Sequence, residues 1–450
     1  MRNRWLVAAA GTISMICLGT VYSWSIFTQP LVASFGWSNT TTTWAFAWAI
    51  FFLGAGAVIG GRWQDRVGPR RVAITGVLLW GLGNLLAGLG TATLGPWWIY
   101  LTYGLIGGLG LGIGYVTPVA AVTKWFPDMR GVGSGMVVMG FGLGAFFYSN
   151  IVKLVHPFAA ASQRAAALLA AKSAAAAAGT PFDAARYAMR PEDVGAIMSV
   201  FVVSGIIFMV LGGICASLVV NPPPGYTRPG VKALAASTGR DYSPSEAART
   251  PQFYSLWLML FLNVTAGILF ISNAVPIMRE LTGVVPGVAL GVYGVIAVFN
   301  GLGRFFWGSV SDRIGRNLAY VLLYGIQVVI FFSVGHMHAL APVAILFAIV
   351  LLCYGGGFGT MPSFTADYFG TKHMGVNYGW ILLAWGVAGV AGPIFVAYVK
   401  DHTGSFAGAL VYVAVMLIAA TVLPIVTRKP GATPADHNTH WPFLHRAAHR

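Results

Sequence analysis

Arg304 stands inside an apolar run, at the end of the stretch Asn300-Gly-Leu-Gly-Arg304. An arginine in the middle of a membrane span costs at least roughly 2.5–3.5 kcal/mol on insertion scales, so it requires a partner in the interior. The apolar runs around it hold no Asp or Glu; the nearest acid along the chain is Asp312. Two readings follow. Arg304 reaches along its helix toward Asp312 and is architectural, or it holds an anion, because a guanidinium is a planar fork that matches a carboxylate. Asn300 lies one turn earlier on the same helical face. It either adds an amide donor to that site or bonds a neighbouring helix. Tyr115 and Tyr354 also fall in apolar runs, where their hydroxyls need partners in a dry interior. Tyr354 precedes Gly355-Gly-Gly357, whose missing side chains leave room for a ligand or for a bend.

The elements that must position these residues are membrane spans. Of 450 residues only 9% are charged and 57% are hydrophobic, whereas a soluble domain carries about a quarter charged residues. Apolar stretches centre on 5–29, 44–61, 72–93, 97–122, 131–154, 195–220, 252–278, 287–310, 318–337, 341–362, 375–399 and 405–427. That predicts twelve spans of about 20 residues or more. The formal charge of +15 does not point to nucleic acid, because the cations sit in short patches between apolar runs. Cys17, Cys215 and Cys353 all fall inside apolar segments without paired spacing and read as inert core residues. The basic start, Met1-Arg-Asn-Arg, leads into an apolar run with no small-residue cleavage site, so it reads as a retained first span.

Lys and Arg concentrate in alternate loops. Arg62, Arg66, Arg70 and Arg71 follow span 2, Lys124 and Arg130 follow span 4, Arg313 and Arg316 follow span 8, and Lys372 follows span 10. The central linker adds Arg228, Lys232, Arg240 and Arg249, while the loops at 30–43, 90–97 and 335–341 hold no Lys or Arg. Both termini and the linker are therefore expected on the cytoplasmic side. The Ala-rich segment 156–193, with Arg164, Lys172, Arg186 and Arg190, breaks the pattern; as a long external insertion it weighs less in the count, and it reads as a short helical hairpin. The expected organisation is a six-helix bundle over 1–220 carrying that insertion, a cytoplasmic linker over 221–251, a second six-helix bundle over 252–428, and a cytoplasmic tail over 429–450.

An internal repeat supports the two bundles. Gly61-Arg-Trp-Gln-Asp65-Arg66-Val-Gly68 after span 2 matches Gly308-Ser-Val-Ser-Asp312-Arg313-Ile-Gly315 after span 8. The first glycine permits close approach of a neighbouring helix. The acid can cap an adjacent helix N-terminus or pair with a base across the loop, and the second glycine supports a sharp turn. Such a device can latch two helices in one state and release them in another. A fainter echo links Lys124-Trp-Phe-Pro-Asp-Met-Arg-Gly131 to Asp367-Tyr-Phe-Gly-Thr-Lys-His-Met-Gly375. The repeat also tests Arg304: shifting 304 by 308 − 61 gives Ala57. An architectural arginine would recur in both halves, and this one does not, which favours an anionic substrate.

The duplicated motif, the twelve spans and the central linker resemble the major facilitator superfamily. Tyr22-Ser-Trp-Ser, Lys124-Trp-Phe-Pro-Asp-Met-Arg-Gly, Arg249-Thr-Pro-Gln-Phe-Tyr, Asn300-Gly-Leu-Gly-Arg304 and Asp367-Tyr-Phe-Gly resemble its oxalate/formate antiporter and monocarboxylate porter group. The resemblance covers nearly the whole chain except 156–193 and the tail. It implies an all-α membrane fold of two pseudo-symmetric six-helix bundles, and an aromatic cage of Tyr22, Tyr115, Tyr354 and Phe358, with Phe141 where a tyrosine can occur. It also implies a lysine in span 11 of the oxalate exchanger; here that position reads Trp385, and Val376–Val399 contain no Lys or Arg. One cation balances one carboxylate, so a dicarboxylate is disfavoured and a small monocarboxylate such as lactate, pyruvate, acetate or formate fits better.

The expected function is alternating-access transport of such an anion across the inner membrane by a monomer, with no cofactor or metal and with Asp65 and Asp312 as latches. No acid is embedded mid-span as a proton relay, so proton symport, exchange and uniport stay open; His336 and His338 read as surface residues. Oxalate/formate-type exchange and carriage of an unrelated solute are the transport alternatives. A membrane enzyme would need clustered acids, histidines or a metal set on one side, and none is visible.

Overall fold

In the computed structural model, residues 3–223, 225–226, 240–403 and 406–431 are described, without the side chains of 184, 185, 269, 272, 273, 286 and 392–409. Arg228, Lys232 and the tail beyond 431 lie outside that description. The described chain is helical throughout. Its twelve spans run over Arg4–Ser23, Asn39–Val67, Pro69–Leu94, Pro96–Trp125, Arg130–Lys153, Pro191–Ala216, Pro251–Thr282, Gly287–Ile314, Arg316–His336, Leu340–Phe369, Met374–Thr403 and Phe406–Val426. Leu89, Val295 and Val329 are among the large apolar side chains left on the outer surface, as a lipid solvent allows.

The pairings of the second six spans repeat those of the first. Span 2 packs on 4, span 1 on 5 and span 3 on 6; correspondingly span 8 packs on 10, span 7 on 11 and span 9 on 12. The two groups meet where span 2 runs along span 11 and span 5 along span 8. Small residues bring these backbones together. A Cβ built on Gly54 would lie 3.1 Å from the Gly386 Cα, and one on Gly142 would lie 2.6 Å from the Gly301 Cα.

Several helices outrun their apolar stretches at the linker end, because the polar motif residues continue the helix until a glycine stops it. Span 2 ends at Gly68 and span 8 at Gly315, with φ of +85° and +89°, conformations open chiefly to glycine. Span 1 is broken by a 3-10 turn at Thr20–Ser23 and is followed by a further helix, Ser25–Phe35, that contains Pro30. Span 8 is interrupted at Ala297, between Pro286–Ile296 and Val298–Ile314. The insertion forms one long helix, His156–Ala178, followed by a single turn at Ala184–Tyr187, rather than two legs of a hairpin. Phe158, Ala161 and Ala165 bury its first half, and Arg164 reaches Asp193 at 3.4 Å.

The described end of the linker is fastened to the second six spans. Asp241 accepts the Thr371 and Lys372 N–H groups, Tyr242 N–H donates to the Phe369 carbonyl, and Asn377 Nδ2 donates to the Tyr242 carbonyl. Ser243 and Glu246 then form a capping box at the short helix Pro244–Ala247. The hydrogen bonds from Ser243, with Arg240 beside it, hold the Glu246 carboxyl down to about 2.

Candidate functional site

Arg304 lies in the middle of the bundle, fully buried, on a helix clamped between two glycine-rich faces. On one side a Cβ at Gly135 would come within 2.7 Å of the Arg304 carbonyl. On the other, Gly359 of span 10 sits directly against that same carbonyl. Gly142 faces the side chain: a Cβ there would stand 3.0 Å from Arg304 Nε. These contacts fix the arginine helix between spans 5 and 10 and aim the guanidinium inward.

The guanidinium does not reach Asp312. Its single hydrogen bond among the described residues is a long one, 3.5 Å from Nη1 to the Val138 carbonyl, and Nε and Nη2 have no partner. Two rings take the place of a counter-ion: Arg304 Cζ lies 4.7 Å from the Phe358 centroid and 5.5 Å from that of Phe141. Cation–π contacts of this kind are worth about 2 kcal/mol or more when desolvated. They soften the cost of a bare buried charge without filling its hydrogen-bonding fork.

Trp385 closes the group from span 11. Its ring centroid lies 4.7 Å from Phe358, 5.3 Å from Phe141, 5.4 Å from Tyr115 and 6.0 Å from Tyr22. Tyr22 and Tyr115 each meet Phe141 edge-on, and Tyr354 meets Phe358 at 5.5 Å. Among the described residues the hydroxyls of Tyr22, Tyr115 and Tyr354 and the Trp385 Nε1 are buried without a close, well-aligned hydrogen-bond partner. Seven of the sequence-selected residues, Tyr22, Tyr115, Phe141, Arg304, Tyr354, Phe358 and Trp385, thus meet around one point. Tyr22 occupies the 3-10 break in span 1, where the interrupted helix turns its side chain toward that point. Asn300 stands against Gly355 of span 10, and its Oδ1 has no partner among the described residues. The Gly355-Gly-Gly357 tract leaves no ligand space: Asn300, Trp307 and Asn263 press against its three bare positions.

The motif residues assemble at the linker end. Asp65 accepts the N–H groups of Gly375 at 3.3 Å and Val376 at 2.9 Å, at the start of span 11. Asp312 accepts those of Gly131 and Val132, each at 2.9 Å, at the start of span 5. Each acid therefore caps a helix of the other six-span group, where the helix dipole favours a carboxylate. Gly61 lies against the Gly375 carbonyl and Gly308 against that of Gly131, so side chains there would hold the caps apart. The motif arginines Arg66 and Arg313 are exposed. The ionic contacts are made instead by Arg316, to Asp312 at 2.7 Å and Asp367 at 2.8 Å, and by Arg130, to Asp367 at 2.7 Å. Arg316 had looked like one more loop cation; its partner Asp367 is too distant in the chain for spacing to reveal. Tyr378, fully buried on span 11, carries no signal of its own in the sequence, since one tyrosine in an apolar span looks like any other.

A sequence profile of the Major Facilitator Superfamily matches residues 9–393. The chain belongs to this superfamily. It is 28% identical over 435 residues to the oxalate:formate antiporter of Oxalobacter formigenes, covering 95% of this chain and 93% of that one. It is 26% identical to the apicoplast pyruvate carrier 1 of Toxoplasma gondii, covering 84% and 81%. The crystal structure of the Escherichia coli fucose:proton symporter superposes with a TM-score of 0.65 at 16% identity, covering 95% of this chain and all of that one. The fold is accordingly that of twelve-span facilitators in two pseudo-symmetric six-helix bundles. The family and the fold are those of transporters. Among the described residues no group of three or more His, Cys, Asp or Glu could hold a metal, and the three cysteines are buried and free.

Proposed function

We propose that this facilitator carries a short monocarboxylate, of the size of formate, acetate, pyruvate or lactate, by alternating access about Arg304. The observation that carries the reading is the buried guanidinium with Nε and Nη2 unoccupied between two aromatic rings. Two N–H groups of one guanidinium match the two oxygens of one carboxylate. The rings of Phe141, Phe358 and Trp385 suit a small apolar remainder. A dianion such as oxalate would bring a second carboxylate to hydroxyl and indole donors alone, with no second cation to balance it. Two relatives, one a pyruvate carrier and the other an oxalate:formate antiporter, are named for small carboxylates, which supports this reading.

On this reading residues 1–220 and 252–428 rock as two bundles joined by the linker 221–251, and a monomer is the working unit. The linker and both termini face the cytoplasm of an inner membrane. Asp65 and Asp312 hold the cytoplasmic end closed, and the anion enters from the opposite side. Asn300 and the tyrosine hydroxyls supply further donors around the carboxylate.

The test is uptake of radiolabelled formate, acetate, pyruvate, lactate, oxalate and fucose into proteoliposomes, with and without an inward-acid pH gradient. Saturable uptake of one or more monocarboxylates, lost in Arg304→Gln at normal expression, is the expected result. Preference for oxalate would overturn the one-carboxylate assignment, and preference for fucose would overturn the anion assignment altogether. Accumulation that follows the pH gradient indicates proton symport; dependence on internal anion indicates exchange.

A further inference from the structure

Asn263 and Gly267 stand one turn apart on span 7, both buried, and both hold Tyr354 of span 10. Asn263 Nδ2 donates to the Tyr354 carbonyl at 3.1 Å. A Cβ built on Gly267 would collide with Cδ2, Cε2 and Cγ of the Tyr354 ring, and no other atom is as near. The amide thus ties the backbone at Tyr354, and the glycine lets the ring lie directly on the bare backbone of span 7. A glycine inside a helix costs roughly 0.5–1 kcal/mol relative to alanine. Here the room it leaves goes to one ring.

That ring belongs to the aromatic group around Arg304. It meets Phe358 edge-on at 5.5 Å, and Phe358 in turn lies 4.7 Å from Arg304 Cζ and 4.7 Å from the Trp385 ring. Tyr354 and Phe358 are one turn apart on the same helical face. With its carbonyl tied to Asn263, Tyr354 can leave span 7 only by swinging its ring, and Phe358 is the ring beside it. Spans 7 and 10 pack on one another within the second six-span group, so the seat moves together with the ring it receives.

We propose that Gly267 sets the upper size of the substrate: by receiving the Tyr354 ring it keeps space beside Phe358 and Arg304 for a remainder larger than the hydrogen of formate. The inference rests on the carboxylate reading above. A methyl group at 267 overpacks the seat and drives the ring toward Phe358, so the larger anions lose their room before formate does. A misfit of one methylene in an apolar pocket is worth roughly 10–200-fold.

The test measures kcat/KM for labelled formate, acetate, pyruvate and butyrate in proteoliposomes, with the melting temperature of each variant. In Gly267→Ala, pyruvate should fall at least about tenfold relative to formate, while formate stays within about threefold of the parent. Tyr354→Ala removes the wall, and should raise butyrate relative to formate at least about tenfold. Adding Gly267→Ala to Tyr354→Ala should then change neither ratio by more than about twofold, because the ring that the methyl group strikes is gone. The last two variants decide the matter even where Gly267→Ala alone does not fold. An unchanged pyruvate-to-formate ratio in a folded Gly267→Ala overturns the inference. So does an unchanged butyrate-to-formate ratio in Tyr354→Ala, or a joint fall of both substrates and the melting temperature in Gly267→Ala, which marks packing alone. If the parent moves no monocarboxylate in the panel, the carrier reading fails first and the size limit with it.

Discussion

Arg316 and Asp367, on spans 9 and 10, form a 2.8 Å ion pair with both side chains almost fully buried. The pair makes the two motif sites unequal. Around Asp312, Arg316 binds both Asp312 and Asp367, and Arg130 from the start of span 5 binds Asp367 as well. Around Asp65 two backbone N–H groups are the contacts made by its oxygens across the bundles, one of them long at 3.3 Å. The faint repeat places Lys124 where Asp367 stands in the second half, so the sign of the charge is inverted between the two sites.

Removing the hub of the stronger site should therefore cost more. Arg316→Ala leaves Asp312 and Asp367 buried with fewer partners, and breaking a buried pair in this way costs about 3–5 kcal/mol. Asp65→Asn keeps an acceptor for one N–H and should cost about 1 kcal/mol or less, the net worth of an ordinary hydrogen bond. Melting temperatures of the two variants in one detergent check the order. Equal losses would mean that the ionic contacts around Arg316 do not hold the linker end.

For Arg304 the expected effect on stability has the opposite sign. A buried cation with an empty fork is a burden on the folded state, and replacing a buried charge with a packed apolar side chain is often neutral or stabilising by about 1–4 kcal/mol. Arg304→Met should abolish monocarboxylate uptake while leaving the melting temperature unchanged or higher. A lower melting temperature would instead identify Arg304 as a structural strut.

Much of the fold could be read from residue types alone. Lipid demands long apolar helices, and the duplicated Gly-x-x-x-Asp-Arg-x-Gly segment marks equivalent points in the two halves. Arg304 was legible for the same reason: a charge inside an apolar run is conspicuous because it is costly. Apolar periodicity is silent about where a helix breaks, so the 3-10 turn that carries Tyr22 and the interruption at Ala297 went unread. It is equally silent about which interior ring faces another. Trp385 stood out only through the family resemblance, since nothing in its own neighbourhood separates a ring in a cage from a ring in a core. The Gly355-Gly-Gly357 tract suggested space, yet glycine also permits close packing, and here Asn300, Trp307 and Asn263 use the space.

The glycines give a paired prediction. Gly142 faces Gly301 and Arg304 Nε, and a Cβ there would stand 2.6 Å from the Gly301 Cα. Gly142→Ala must push span 5 off span 8, at the roughly 1–3 kcal/mol typical of overpacking, and should lower both melting temperature and uptake. Gly325 of span 9 has nothing within 4 Å of a built Cβ. Gly325→Ala should be neutral or stabilising by up to about 1 kcal/mol from helix propensity. If both substitutions behave alike, the contact between spans 5 and 8 is not close enough to matter.

Trp385→Lys examines the one-carboxylate reading directly. The Trp385 ring lies 4.7 Å from Phe358, which itself stacks on Arg304, so a lysine here would bring a second cation close to the guanidinium. Two buried like charges repel, and the empty variant should melt below the parent. A dianion relieves that repulsion at both ends, whereas a monoanion relieves it at one. Oxalate should therefore raise the melting temperature of the variant by more than formate does, and its uptake relative to formate should rise by at least about tenfold, equivalent to about 1.4 kcal/mol of differential binding. In the parent the same pair of ligands should favour formate. An oxalate response unchanged by the substitution would show that position 385 does not face the bound anion, and the preference for one carboxylate would then need another cause.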